Sequence, residues 1–381
     1  MVNIIEWHNN NFYNDRHINF RLKDIFSDSW DNFVKSNPNL RIRPVVFKEI
    51  NRMISCRTSS LGYSLYECPD CGEIKFCYHT CKSRFCPSCG NKYVKKRAEN
   101  ILQKCYNCKH RHIVFTISNY LWDLFKIDRK RLNLLFEAAS KTLLSWFKDK
   151  YKSEFYTPGI IAVLHTYGRD MKSNPHIHII ITEGAMGKNN VFKKFDSISY
   201  DALRKRFQKI LLDLLEKDIG KDKFKTIKNF IYKKSNNGFY VYAEKKNNPS
   251  TQNMIEYAVR YAGKPAMAES RILDYDNDYV TFWYQRHEDN QVVVEKLHIF
   301  DFIKRLIIHI PDENFKTVKY YEIYARKHKF HDKMVMLVNK QIHKIRNSII
   351  SWRMMLLRDF DFDPLSCPKC GNQMKWQYRV C

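Results

Sequence analysis

The sequence predicts an α+β fold with a largely antiparallel sheet, preceded by a cysteine-rich module. Three observations lead there. Strand patterns pair through short polar turns instead of alternating regularly with helices, which argues against a βαβ plan. Amphipathic helical stretches stand between those pairs. Cysteines crowd into residues 68–108. The chain has 381 residues, room for two or three domains, and its 44% hydrophobic content can fill a core.

Taken in order, residues 1–66 read as helical and mixed. HIVFTIS (His112–Ser118) reads as a strand. Leu132, Leu135, Phe136, Ala139, Leu143 and Phe147 then keep helical spacing, with Asp128 as a cap candidate. IIAVLHTYG (Ile160–Gly168) is strand-like, and a short polar stretch leads from it into HIHIII, so the two form an antiparallel hairpin. Leu203, Phe207, Ile210, Leu211, Leu214 and Leu215 mark the next helix. FIYKKSNNGFYVYAE sets Asn-Asn-Gly between two aromatic, β-branched runs and predicts a second hairpin. TQNMIEYAVRYAGKP predicts a short helix capped by Thr251 and stopped by Gly263 and Pro265. YVTFWYQRHEDNQVVVEKL is a third hairpin, and FDFIKRLIIHIP a helix ended by Pro311. The expected units are a helical segment over 1–66, a cysteine-rich module over 67–110, a mixed helix-and-sheet domain over 111–330, and a basic tail over 331–381. No internal repeat or low-complexity segment interrupts them.

Lys and Arg number 66 against 40 Asp and Glu, a net charge of +26. So large a surplus speaks about partners, and nucleic acid comes first because neutralising phosphates releases counterions. An anionic membrane surface comes second; no run of eighteen apolar residues exists, so no spanning helix is expected, and no membrane partner is carried forward. The N-terminus has neither a basic start nor an apolar block, which makes the cytoplasm the expected compartment. Twelve cysteines there point to metal and not to disulfides.

Cys68-x2-Cys71 and Cys86-x2-Cys89 are two knuckles separated by fourteen residues. Two tight turns supplying two thiolates each suit tetrahedral Zn2+, so these four are the expected ligands. Cys77, His79 and Cys81 lie between them and could replace a ligand or form part of a second site. Cys105-x2-Cys108, followed by His110 and His112, could complete such a second site. Cys367-x2-Cys370 with Cys381 reads as an incomplete knuckle. Between Cys81 and Arg97 stand Lys82, Arg84, Lys92, Lys95, Lys96 and Arg97 with no acid among them, and Phe85 and Tyr93 interleave. A basic knob fixed by zinc suits a DNA contact; a solvated face is the plainer alternative.

In a strand alternate side chains share a face, so His176 and His178 point one way and Ile177 the other. Two imidazoles at that spacing can bind one divalent cation. His165, on the preceding strand, is the candidate third ligand. Tyr257 and Tyr261, at i and i+4, share one helix face. They are either part of a core stripe with Met254 and Ala258 or a pair of nucleophiles beside the cation, with Arg260 and Lys264 to hold phosphates.

These stretches resemble a family. His176-Ile177-His178 looks like the HUH motif, and Tyr257 with Tyr261 like its nucleophilic pair. The order CKSRFCPSCG, HIVFTIS, HTYGRDMKSNPHIHIIITEGA, YAVRYAGKPAMAESRI, YYEIYA is similar to that of the two-tyrosine HUH transposases of bacterial rolling-circle insertion sequences, which carry an N-terminal zinc-binding domain. The likeness covers roughly residues 60–330. It implies an HUH-endonuclease-like central antiparallel sheet with flanking helices behind a zinc-ribbon-like module. It also implies a metal-dependent transposase that nicks and rejoins single-stranded DNA through a 5′-phosphotyrosine. His176, His178 and His165 would hold Mg2+ or Mn2+, and the substrate would be single-stranded or hairpin element termini and target DNA. The rivals are an HUH replication initiator or relaxase, with the same chemistry, and a non-enzymatic zinc-ribbon DNA-binding protein. A transposase built on a carboxylate triad is disfavoured, because no such triad is evident.

Overall fold

The computed structural model describes residues 20–106, 108–151, 156–187, 192–195, 198–243, 251–259, 266–286, 289–325, 353–354, 357 and 363–380. Two helices open it, α1 (Leu22–Ser36) and α2 (Pro44–Ile54). A short hairpin follows, β1 (Tyr63–Glu67) and β2 (Ile74–Tyr78), then α3 (Pro87–Leu102). The central region holds β3 (His110–Thr116), α4 (Trp122–Ile127), α5 (Leu132–Lys150), β4 (Thr157–Tyr167), β5 (Ser173–Met186), β6 (Phe192–Lys194), α6 (Tyr200–Ile219), α7 (Lys221–Lys234), β7 (Tyr240–Ala243) and α8 (Thr251–Val259). After these come β8 (Ile272–Tyr275), β9 (Tyr279–Gln285), β10 (Val292–His298), α9 (Ile299–Ile307), β11 (Val318–Glu322) and β12 (Lys375–Val380).

The fold is α+β, and every strand pairing among the described residues is antiparallel. The central sheet runs β11-β4-β5-β3-β7, with β6 on the far end of β5. Its two faces are buried differently. Ile113, Phe115, Ile160, Ala162, Leu164, Ile177, Ile179 and Ile181 face α5 and α6, where Leu135, Phe136, Phe207 and Leu211 meet them. Ile161, Val163 and Ile180 face Val94, Ala98 and Ile101 of α3 and Ile255, Ala258 and Val259 of α8. Both faces being covered explains why β4 and β5 read as nearly continuous apolar runs. Fully burying an Ile side chain contributes about 1.5–3 kcal/mol, so the isoleucines of β5 hold that strand in register.

The hairpin predicted for FIYKKSNNGFYVYAE is corrected. Its first half is the end of α7, a helix whose Phe224 and Ile231, two turns apart on one face, are fully buried. Aromatic and β-branched content suggested a strand, but packing against α6 selects the helix. The Asn-Asn-Gly turn joins α7 to β7. Gly238 there has φ +85°, and a Cβ would stand 2.5 Å from the backbone of Arg204, so only glycine fits.

The helices of residues 20–54 have no core of their own. Phe26, Trp30, Phe33, Ile50 and Met53 pack with Val280, Phe282, Phe302 and Leu306 of the β10-β9-β8 sheet and α9. The C-terminal segment also returns: β12 pairs with β1, giving a third sheet ordered β12-β1-β2. No helix among the described residues is long and apolar enough to cross a membrane.

Candidate functional site

The β4-β5 hairpin sets His165 directly opposite His176, and Val163 opposite His178. His165, His176 and His178 therefore share the α8-facing side of the sheet. Their ring centroids lie 3.9 Å (His165–His178), 5.1 Å (His165–His176) and 5.0 Å (His176–His178) apart. One ligand nitrogen from each lies within 4.8 Å of the others, a spacing that fits a shared cation.

Each ring is held through one nitrogen. His165 Nε2 donates to the carbonyl of Ala258 at 2.7 Å, and His176 Nδ1 to the carbonyl of Asn174 at 2.6 Å. Carbonyl acceptors fix those tautomers and leave the lone pair on the other nitrogen. His178 Nδ1 pairs with His112 Nε2 at 2.8 Å, the two rings stacking with centroids 5.0 Å apart. His178 Nε2 is buried without a hydrogen-bond partner, and a buried orphan of that kind fits a metal ligand. Burial, and then the neighbouring imidazoles, push the His165 and His178 pKa values well below the usual histidine value. Burial likewise brings His112 down to about 4. His165, His178 and His112 are thus neutral near pH 7, the form of imidazole that coordinates metal.

Tyr257 stands over this cluster. Its ring meets His112 edge-on at 5.5 Å and His178 at 5.8 Å. The buried residues of α8 are Met254, Ile255, Ala258 and Val259, whereas Tyr257 is 43% exposed. A core-stripe role would have buried it. Arg260, Tyr261 and Lys264 lie outside the described residues.

The thiols separate into two tetrads, which corrects the single Cys68/Cys71/Cys86/Cys89 site. Cys86 and Cys89 join Cys56 and Cys81; Cys68 and Cys71 join Cys367 and Cys370. In the first tetrad Cys89 Sγ lies 3.7 Å from Cys56 Sγ and 3.6 Å from Cys81 Sγ. In the second, Cys68–Cys370 is 3.5 Å and Cys71–Cys367 is 3.6 Å. Four thiolates around zinc at a bond length of about 2.3 Å stand about 3.8 Å apart, so both tetrads are nearly of tetrahedral size. Backbone N–H groups of Cys81 and Ser83 point at Cys56 Sγ and Cys81 Sγ, at 3.5 and 3.4 Å, as donors that stabilise thiolate.

Among the described residues Cys77, Cys105 and Cys108 join no tetrad. His79 bridges Leu61 O and Ser64 Oγ, and His110 bonds Tyr324 Oη at 2.6 Å. His112, read from sequence as a partner for these thiols, belongs instead to the histidine cluster. Cys381 lies outside the described residues. The sequence signal that finds the second tetrad is arithmetic. The sequence holds four C-x2-C knuckles, and the two tetrads use three of them together with Cys56 and Cys81, eight thiols in all.

Cys86 is the N-cap of α3, and Pro87 begins it. The first tetrad therefore orients α3, whose inner face packs on Ile255, Ala258 and Val259 of α8, the helix that carries Tyr257. Lys95 and Lys96 are exposed on the outer face of α3 and Lys82 on the loop before it, while Lys92 and Arg97 are half-buried. Arg84 covers Tyr93 at 5.7 Å, and Arg97 covers Tyr320 at 6.0 Å.

Comparisons with known proteins agree with this layout. Residues 159–331 match a family model described as "Putative transposase", and residues 25–117 match one described as "Transposase zinc-binding domain". The chain is 26% identical over 378 residues to the transposase for insertion sequence element IS801 of Pseudomonas savastanoi pv. phaseolicola, covering 93% of this chain and 88% of the relative. It is 24% identical over 284 residues to "Putative transposase y4qJ" of Sinorhizobium fredii (strain NBRC 101917 / NGR234), covering 70% of this chain and 71% of that protein. No solved structure matches it significantly.

Proposed function

We propose that this chain, whose residues 159–331 and 25–117 match transposase family models, is an HUH-type single-strand DNA endonuclease and strand transferase serving rolling-circle transposition of an insertion sequence. The observation that carries this reading is the three-imidazole cluster, with the orphaned His178 Nε2 inside it and Tyr257 above it.

His165, His176 and His178 would hold Mg2+ or Mn2+, and an imidazole-rich set favours the transition ion. When bound there, the cation supplies Lewis-acid charge to the non-bridging oxygens of the scissile phosphate. The chain's own residues do the rest. Tyr257 Oη attacks phosphorus, the bond to the 3′ oxygen breaks, and that oxygen leaves as a 3′-hydroxyl with a proton. The 5′ phosphate stays on the tyrosine. Attack by another 3′-hydroxyl reverses the step and frees the tyrosine, so joining needs no nucleotide cofactor. Tyr261 accepts a second strand in the same way. A tyrosine, of ordinary pKa about 10, must lose its proton to attack. Arg260 and Lys264 grip flanking phosphates, and Lys82, Arg84, Lys92, Lys95, Lys96 and Arg97 of the zinc module track the DNA backbone. Single-stranded or hairpin DNA gives the tyrosine access to phosphorus.

A labelled single-stranded oligonucleotide carrying an element terminus, incubated with the protein and Mn2+, should yield a denaturation-resistant protein–DNA adduct. Tyr257→Phe combined with Tyr261→Phe should abolish it. An undiminished adduct in that double variant would overturn the assignment.

A further inference from the structure

We propose that Cys68, Cys71, Cys367 and Cys370 form a second zinc site, separate from the Cys56/Cys81/Cys86/Cys89 tetrad, and that it clasps the C-terminal segment to the N-terminal module. Cys367 and Cys370 lie beyond both matched ranges, 25–117 and 159–331. Nothing local in CPKCG supplies more than two ligands. The fold brings the other two from 302 and 296 residues away.

Both halves are built alike. In each, the first cysteine of the knuckle accepts a backbone bond from a glycine: Gly72 N to Cys68 O at 2.9 Å and Gly371 N to Cys367 O at 3.0 Å. Both glycines have positive φ, +72° and +77°, with open space where a Cβ would stand. The first cysteine of each also donates a bond across its turn, Cys68 N to Glu73 O at 2.9 Å and Cys367 N to Asn372 O at 2.8 Å. Two such turns facing each other are the two halves of a closed four-thiolate zinc site.

Among the described residues the apolar part of the junction is small. Its apolar cluster is Cys68, Cys367 and Met374, with Tyr66 and Cys71 alongside. All six side chains of β12 are exposed. Lys75 Nζ donates to Pro364 O and Ser366 O, and Gln377 to Glu67. A few polar contacts and one strand ladder, closing a loop of some 300 residues, must offset a large closure entropy. A metal ion supplies what that small apolar cluster lacks.

The test uses the full-length protein, kept reduced with a phosphine. Cys370 is exposed, so without an ion it should alkylate like a free thiol. In the zinc-loaded chain, mass spectrometry after iodoacetamide should find Cys68, Cys71, Cys367 and Cys370 protected together. A chelator should release them together and open the C-terminal segment to limited proteolysis. Cys367→Ser with Cys370→Ser should lower the zinc content by one ion per chain. In the cobalt-substituted protein it should halve the thiolate charge-transfer absorption, a band to which the histidine cluster does not contribute. Rapid alkylation of Cys370 in the zinc-loaded protein, or an unchanged zinc count in the double variant, would overturn the clasp. Neither readout depends on strand transfer, so the clasp and the proposed reaction stand or fall separately.

Discussion

The histidine cluster and the first cysteine tetrad are both candidate metal-ligand sets, joined through the packing of α3 on α8, yet their donors suit opposite ends. The tetrad offers four thiols from one face of a hydrophobic core that also contains Phe26, Phe85 and Met53. A closed set of four soft ligands leaves no room for substrate, as in structural zinc sites. The cluster offers three imidazoles on a rigid strand pair, under an exposed tyrosine. Three ligands leave positions open, which catalysis requires. What joins them is α3, capped by Cys86 and packed on α8. The comparison teaches that ligand number and softness separate scaffold from chemistry even where the supporting helices pack on each other.

That contrast can be broken. The largest effect is expected at the thiols. Structural zinc contributes on the order of 10 kcal/mol in small zinc modules, comparable to a domain's whole stability. Cys86→Ser with Cys89→Ser should therefore lose the cooperative unfolding transition of the N-terminal region, seen by circular dichroism, together with one zinc. A variant that melts like the parent would remove the scaffold role. Next in size is His176→Ala with His178→Ala. Cleavage should fall on the order of 10³-fold or more, as when charge stabilisation is deleted from an active site. The cysteine-bound zinc and the melting temperature should stay put; loss of that zinc would mean the two kinds of site are not separate.

The smallest effect sharpens the comparison. His112 touches no proposed ligand position of its own, but it fixes the His178 ring at 2.8 Å. Removing an outer partner of a metal ligand costs about 10–100-fold in metal affinity or activity. His112→Ala should shift the Mn2+ concentration that supports half-maximal cleavage upward by that factor. His112→Gln, which keeps a hydrogen-bonding amide, should recover part of it. An unshifted Mn2+ dependence would leave His112 as packing alone.

Much of the site was legible because it is local. His176 and His178 share a face through the two-residue strand period, and His165 follows from the hairpin. The helix that carries Tyr257 shows in its periodicity. The failures are all long-range or packing-driven. The aromatic run of α7 resembled a strand until Phe224 and Ile231 met their neighbours. Cys56 has no knuckle spacing to announce it. His112 looked like a thiol partner because Cys108 is near in sequence, while the strand pairing of β3 with β5 carries it to His178.

The sequence by itself determined the α+β class, the antiparallel β4-β5 hairpin and the shared face of its histidines. These depend on alternation, caps and turns acting over a few residues. Only the tertiary structure decided which knuckle meets which. Two C-x2-C turns carry no information about their partners, and the ladder joining β12 to β1 is formed by backbone groups that every residue possesses. Pairing across some 300 residues is chosen by the packing of everything between them.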